Sequence, residues 1–220
     1  MAKLVSKKAT SSSLTKIQVL ETAAAFADRE GLAALSMRKL AAQLGVEAMS
    51  LYHHVANKDE LLDGMVDLVF SEIDLPQLGD PWKDAMRARA DSARTALLRH
   101  PWAVGLLDSR ANPGPATLNH HDAVIGTLRI AGFSVKNAAH AFSLLDSYIY
   151  GFVLQETGLP FKNEEELETV ATDIADSMPE DAYPHLSEMM LHVLRPGYAY
   201  ADEFAFGLEL ILDGLERVAP

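Results

Sequence analysis

One stretch, Ser36 to Lys58 (SMRKLAAQLGVEAMSLYHHVANK), limits the folds open to this chain more than any other. Read at helical spacing, Met37, Leu40, Ala41 and Leu44 form an apolar stripe, and Ser36 is placed to cap the helix they define. Gly45 ends that helix, because glycine accepts the left-handed backbone a tight turn requires. A second short helix is predicted to run to His54, with Val46, Leu51 and Val55 inward. Its outer face carries Met49, Ser50, Tyr52, His53 and His54. Asn57 and Glu60 have the spacing of a reciprocal cap for the next helix. Two short helices about a glycine turn make a helix-turn-helix. A packed helical hairpin with no further role has the same spacing, so residue identity must separate the two.

Charge is distributed unevenly. The net charge is −12 over 220 residues, which superficially argues against a polyanionic partner. Residues 1–55 nevertheless hold seven basic and four acidic groups, a balance of +3, and the remainder carries −15. A basic head on an acidic body confines attraction to polyanions to one end. There are no cysteines, so neither disulfides nor thiolate metal sites contribute, which is compatible with a reducing compartment. The opening MAKLVSKKATSSS has no apolar core of a secretory signal, and no apolar run approaches the ~20 residues of a membrane span. A soluble, cytoplasmic protein is expected.

Along the chain, residues 1–13 read as a flexible basic arm, either lying along phosphates through Lys3, Lys7 and Lys8 or without a role. Thr15 with Gln18 opens a helix to about Glu30, and Gly31 ends it. The helix from about Lys58 to Ile73 is apolar at Leu61, Leu62, Met65, Val66, Val69 and Ile73. That is more buried face than a three-helix head can cover, so it is predicted to pack on head and body alike and to act as a lever. Further helices are predicted over about 81–100, briefly from Pro101, over 116–131, 134–157 and 202–218, and near Glu180 to Leu194. Residues 164–178 are either an acidic helix capped by Asn163 and Glu166 or a solvated loop. The helices at 134–157 and 202–218 are apolar on more than one face, which requires burial on several sides, within the body or against another chain. The expected architecture is all-α: a helix-turn-helix domain over 14–74 and a larger helical domain over 75–220.

The run LSMRKLAAQLGVEAMSLYHHVANKDELLD, above all the Leu51–Lys58 block, resembles the DNA-binding domain of the TetR family of bacterial transcriptional regulators. GFSVKNAAHAFSLLDSYIYGFVLQE and the final FAFGLELILDGLERV are similar to the regulatory domain of its tetracycline repressor subfamily. The resemblance implies a double-stranded DNA operator, a small-molecule effector, and a homodimer built from the helices near 134–157 and 202–218. It places Ala48, Met49, Ser50, Tyr52, His53 and His54 on the surface that reads DNA. Arg38, at the start of the supporting helix with Lys39, would match a position that reaches a base or a phosphate, and Lys58 would stand beside a phosphate. Tyr52 and His54 have a second reading as braces of the hairpin. Ala48 and Met49 lack the paired donors and acceptors that discriminate bases, so the operator is expected to differ from the tetracycline repressor's own.

In the body, the histidine, polar and acidic groups of the metal–drug site of the tetracycline-binding members fall on Leu107, Val124 and Gln155, so a magnesium–tetracycline complex is a poor candidate ligand. A larger, mostly apolar effector is therefore expected, lined by Arg89, Leu107, Val124, Leu128, Phe142 and Asp146. Arg89 and Asp146 are read either as its polar anchors or as a surface arginine and an interface carboxylate. His120-His121-Asp122 reads as a solvated helix start, since adjacent histidines on a helix diverge by about 100° and suit one ion poorly. His100, His140 and His192 read as ordinary, partly buried histidines. No metal or cofactor is expected. The chain has no phosphate loop, thiol nucleophile or metal cluster that would favour a small helical enzyme. A transcriptional activator of the same fold is the other alternative to a repressor.

Overall fold

The computed structural model describes residues 14–77, 79–107, 109–179 and 182–219; the basic arm at 1–13 lies outside them. Among the described residues there are ten α-helices and no strand. They are α1 (Lys16–Glu30), α2 (Met37–Leu44), α3 (Ala48–Leu51), α4 (Lys58–Ser71) and α5 (Trp82–Arg99), then α6 (Pro115–Ile130), α7 (Val135–Gly158), α8 (Glu164–Ser177), α9 (Pro184–Val193) and α10 (Asp202–Glu216). The short helix expected at Pro101 is a single 3-10 turn, Pro101–Ala103.

Helix starts follow side-chain chemistry. Thr15 and Gln18 form the predicted reciprocal cap of α1. At α4, Asn57 Oδ1 accepts from the Glu60 amide at 2.8 Å, but Glu60 reaches back to the amide of Ala56 rather than Asn57, and it also pairs with Lys16 at 2.7 Å. Asn163 and Glu166 repeat the pattern, Glu166 accepting from Lys162. The acidic stretch is thus helical, with Glu164, Glu165 and Glu166 where the helix N-terminus favours negative charge.

Two apolar cores form, and α4 belongs to both. Its first half, Leu61, Leu62 and Met65, packs with Val19, Leu20, Ala23, Leu40, Leu51 and Val55 of the head. Its second half, Val66, Val69 and Phe70, with Ile73 just beyond its end, packs with α5, α6, α7 and α10 in the body. Trp102 and Leu106 touch both cores. Helix α4 is thus packed into head and body alike.

In the body, α5 buries an alanine-rich stripe, Ala85, Ala90, Ala93 and Ala96, whose small side chains let neighbouring helices approach closely. The α10 helix is tied to α5 by the paired hydrogen bonds of Arg87 to Glu209, at 2.5 and 2.9 Å, and by Lys83 to Asp213 and Glu216. Arg94 pairs with Glu156 of α7 and lies over the rings of Phe152 and Phe204 at 5.6 and 5.0 Å.

Candidate nucleic-acid interface and effector site

The helix-turn-helix is built around Gly45. At φ +69° it takes the left-handed conformation, and the Val46 amide donates to the Ala41 carbonyl at 3.0 Å, closing the end of α2. Ser36 Oγ accepts from the Lys39 amide at the start of that helix. The α3 helix ends at Leu51 rather than His54, because the following bonds shorten to turns. Tyr52, His53 and His54 donate to the third carbonyl back, and only Val55 returns to the fourth, Leu51. The inward set is Leu51 and Val55, fully buried, with Val46 half-buried.

The outward set shares one surface. Met49 is 70% exposed and Tyr52 44%, His53 is exposed, and Ala48, Ser50 and His54 are half-buried. Arg38 and Lys39 are exposed at the start of α2, with the Lys39 ammonium 5.9 Å from the Phe26 ring centre. Lys58 Nζ donates to the Leu35 carbonyl at 3.1 Å, tying the start of α4 to the start of α2. An ammonium has three donors, so this bond leaves two.

Helix α4 leads from this surface to the body, and its acidic side is gripped there. Asp67 Oδ1 accepts from both the amide and the hydroxyl of Thr117, at 2.8 and 3.0 Å. Asp67 thereby caps α6 from another helix, where Gly114 supplies no side chain of its own. A Cβ at Gly114 would lie 2.3 Å from the Asp67 carboxyl carbon, so only glycine allows this approach. One turn earlier Asp63 accepts from Arg110 Nε at 2.5 Å. We expect Asp67→Ala to lower stability by about 1–2 kcal/mol in urea titration. Asp67→Asn, which keeps an acceptor, should recover most of it, and equal losses in both variants would contradict the cap.

The expected effector residues are only partly brought together. Arg89 and Asp146 are not a surface arginine and an interface carboxylate: they are 1% and 7% exposed and pair across α5 and α7 at 2.6 Å. Arg89 lies on the buried alanine stripe of α5, and an arginine there must find a counter-charge within the body. His120 is not a solvated helix start. It is fully buried and accepts from Arg89 Nε at 3.3 Å. Burial, reinforced by the Arg89 charge and by His121, pushes its pKa down to about 3. The signal was present in the sequence: Thr117, His120, Val124, Thr127 and Leu128 follow one helical stripe. Val124 and Leu128 are wholly buried in the core, and Phe142 is half-buried with its ring edge on His121 at 5.1 Å.

Leu107 lines a cleft of about 220 Å³ with Asp63, Val66, Arg110, Thr117 and His121, where α4 meets α6. A larger groove of about 460 Å³ lies elsewhere, between the end of α7, Phe161, Leu167, Tyr198 and Tyr200, and none of the expected effector residues lines it. His100 joins head to body, with Nδ1 2.8 Å from Asp28 of α1 and Nε2 3.3 Å from Glu72 at the end of α4. His140 and His192 are exposed rather than partly buried. Among the described residues no cluster of three or more His, Cys, Asp or Glu could hold a metal ion, and no helix is long and apolar enough to cross a membrane.

A helix-turn-helix with an exposed second helix, joined by one shared helix to a separate helical body, defines a DNA-binding regulator. The chain belongs to the TetR family of bacterial regulatory proteins: residues 19–65 match that family's model, and residues 75–219 match the tetracycline repressor-like C-terminal domain. The family is one of transcriptional regulators. The chain is 34% identical over 215 residues to the transcriptional repressor DrrR1 of Streptomyces coeruleorubidus, covering 92% of this chain and 77% of that one. It is 30% identical over 208 residues to the class C tetracycline repressor of Escherichia coli, covering 93% and 92%. Among solved structures it resembles ActR of Streptomyces coelicolor bound to actinorhodin, with a TM-score of 0.74 and 29% identity over 94% of this chain and 98% of that one.

Proposed function

We propose that the protein is a cytoplasmic, homodimeric transcriptional repressor, with a DNA-binding head over 14–74 and a ligand-binding body over 75–220. It binds a palindromic operator and leaves it when a small molecule occupies the body. The observation that carries this reading is the α2–Gly45–α3 hairpin, whose apolar side is spent on the head core while Arg38, Lys39, Met49, Tyr52 and His53 face outward. The similarity to DrrR1, named as a repressor, favours repression over activation.

In such a complex α3 enters the major groove. Met49 and Ala48 meet apolar features such as a thymine methyl, Ser50 and the histidines hydrogen-bond, and Arg38, Lys39 and Lys58 meet the backbone. The similarity to ActR, whose solved structure contains actinorhodin, supports an effector site in the body. Effector release requires a ligand that prefers one arrangement of α4 over the other, and the shared helix supplies a rigid link between the two ends.

Tyr52→Ala is expected to weaken operator binding by roughly tenfold or more while leaving the thermal unfolding curve in place. Gel shift on the operator recovered by genomic footprinting checks this. Unchanged affinity would displace the reading surface from α3.

A further inference from the structure

The body core contains a polar cluster in which donors outnumber acceptors. Arg89 enters it from α5, His120 from α6 and Asp146 from α7, all buried. Arg89 Nε donates to His120 Nε2. A guanidinium can only donate, so Nε2 is the bare nitrogen of a neutral ring and the proton sits on Nδ1. That Nδ1–H meets no acceptor within the protein, and neither does Arg89 Nη1. Arg89 Nη2 lies 2.6 Å from Asp146 Oδ1, close enough for an ion pair but out of line for a hydrogen bond. Buried polar groups in native proteins are almost always paired, so orphans mark a missing partner. The orphans are three donor atoms, Arg89 Nη1 and Nη2 and His120 Nδ1, against one acceptor, Asp146 Oδ1, so the cluster is short of acceptors.

The walls supply the rest of its character. The Phe70 ring stands 5.2 Å from His120 and 5.3 Å from His121, and His121 meets the edge of Phe142. His121, the chain neighbour of His120, also lines the cleft at the α4–α6 junction.

We infer that the effector is an aromatic carboxylate whose oxygens bind between the Arg89 guanidinium and the His120 Nδ1–H, replacing Asp146 as the counter-ion; this rests on the ligand-responsive reading above. Two donors of fixed orientation recognise a carboxylate, and the aromatic walls recognise the ring that carries it. Asp146 neutralises the arginine while the site is empty. It also competes with every incoming acid.

The test is calorimetric titration of the full-length protein with acid–amide pairs: 1-naphthoate against 1-naphthamide, and anthraquinone-2-carboxylate against its amide. Each acid is expected to bind about tenfold more tightly than its amide, because only the acid makes charge-assisted bonds to Arg89. Asp146→Asn removes the competing carboxylate and is expected to tighten the acids further while leaving the amides unchanged. Arg89→Met is expected to abolish the preference. Because that variant leaves a carboxylate buried without its counter-charge, the acid–amide ratio of the wild type remains decisive should it fail to fold. Acid and amide binding alike, neither binding, or weaker acid binding by Asp146→Asn would overturn the inference and leave a buried water as the missing partner. Gel shifts on the same unliganded samples keep the two proposals apart. Operator binding without acid preference removes the effector class alone, whereas absence of operator binding removes the regulator.

Discussion

Leu154→Glu combined with Phe206→Glu is expected to yield a folded monomer with no measurable operator binding. Leu144 and Leu154 on α7 are 46% and 62% exposed, and Phe206 and Leu210 on α10 are 66% and 60% exposed. Isolated surface leucines need no explanation, but two neighbouring helices each leaving large side chains bare call for a partner. Burying an exposed leucine or phenylalanine contributes about 1.5–3 kcal/mol, so eight of them across a two-fold interface supply on the order of 10 kcal/mol. A carboxylate introduced at each of these two positions would have to be desolvated on association. Operator binding falls with the dimer, because two heads joined at a fixed spacing bind as one unit and single heads bind separately. Sedimentation with circular dichroism checks both parts of the expectation. A dimer that survives the double substitution would move the interface away from α7 and α10.

The second large effect is a loss of stability in acid that traces to one ring. His120 has a native pKa of about 3, whereas an unfolded histidine titrates near 6.5. Between these values the unfolded chain binds a proton that the native chain does not, so stability falls as pH drops from about 6.5 and levels off near 3. The first pH unit below 6.5 costs about 1 kcal/mol through this ring alone, before the carboxylates, which titrate at about 4, contribute. Burial explains most of the direction, and the groups facing His120 from the surrounding helices add to it: Arg89 and His121 disfavour a further positive charge, and Phe70 offers no acceptor. Asp146 is held by Arg89. His120→Gln keeps an acceptor for Arg89 Nε without titrating. Between pH 6.5 and 5.5 its urea midpoint is expected to fall less than that of the wild type, and parallel curves would contradict the assignment.

Much of this molecule is written locally. Helix starts rest on a hydroxyl or amide followed three residues later by a glutamine or glutamate, and Thr15, Asn57 and Asn163 all cap where that spacing places them. Gly45 specifies the turn of the hairpin by itself, since few other residues accept its backbone angles. The double role of α4 was legible too, because the apolar positions from Leu61 to Ile73 exceed what three short helices cover.

What resisted reading is long-range and polar. The inward stripe that His120 shares with Val124 and Leu128 is masked by its neighbours His121 and Asp122, which make the three residues look like a solvated helix start. Asp63 and Asp67 hold Arg110 and the start of α6 from about fifty residues away, pairings that no local spacing contains. His100 gives no local hint that it bridges Asp28 and Glu72, which only the docking of head on body brings together. Such partners are chosen by tertiary geometry, which a spacing rule does not contain.

The central claim is that α3 lies in a DNA groove, presented twice by a symmetric pair of chains. Hydroxyl-radical footprinting of the purified protein on the operator found in the genome tests it most directly. Two protected patches are predicted, related by a two-fold axis, centred roughly 34–36 Å apart and lost together in Tyr52→Ala. A single asymmetric patch, or protection that the α3 substitution leaves intact, would contradict it.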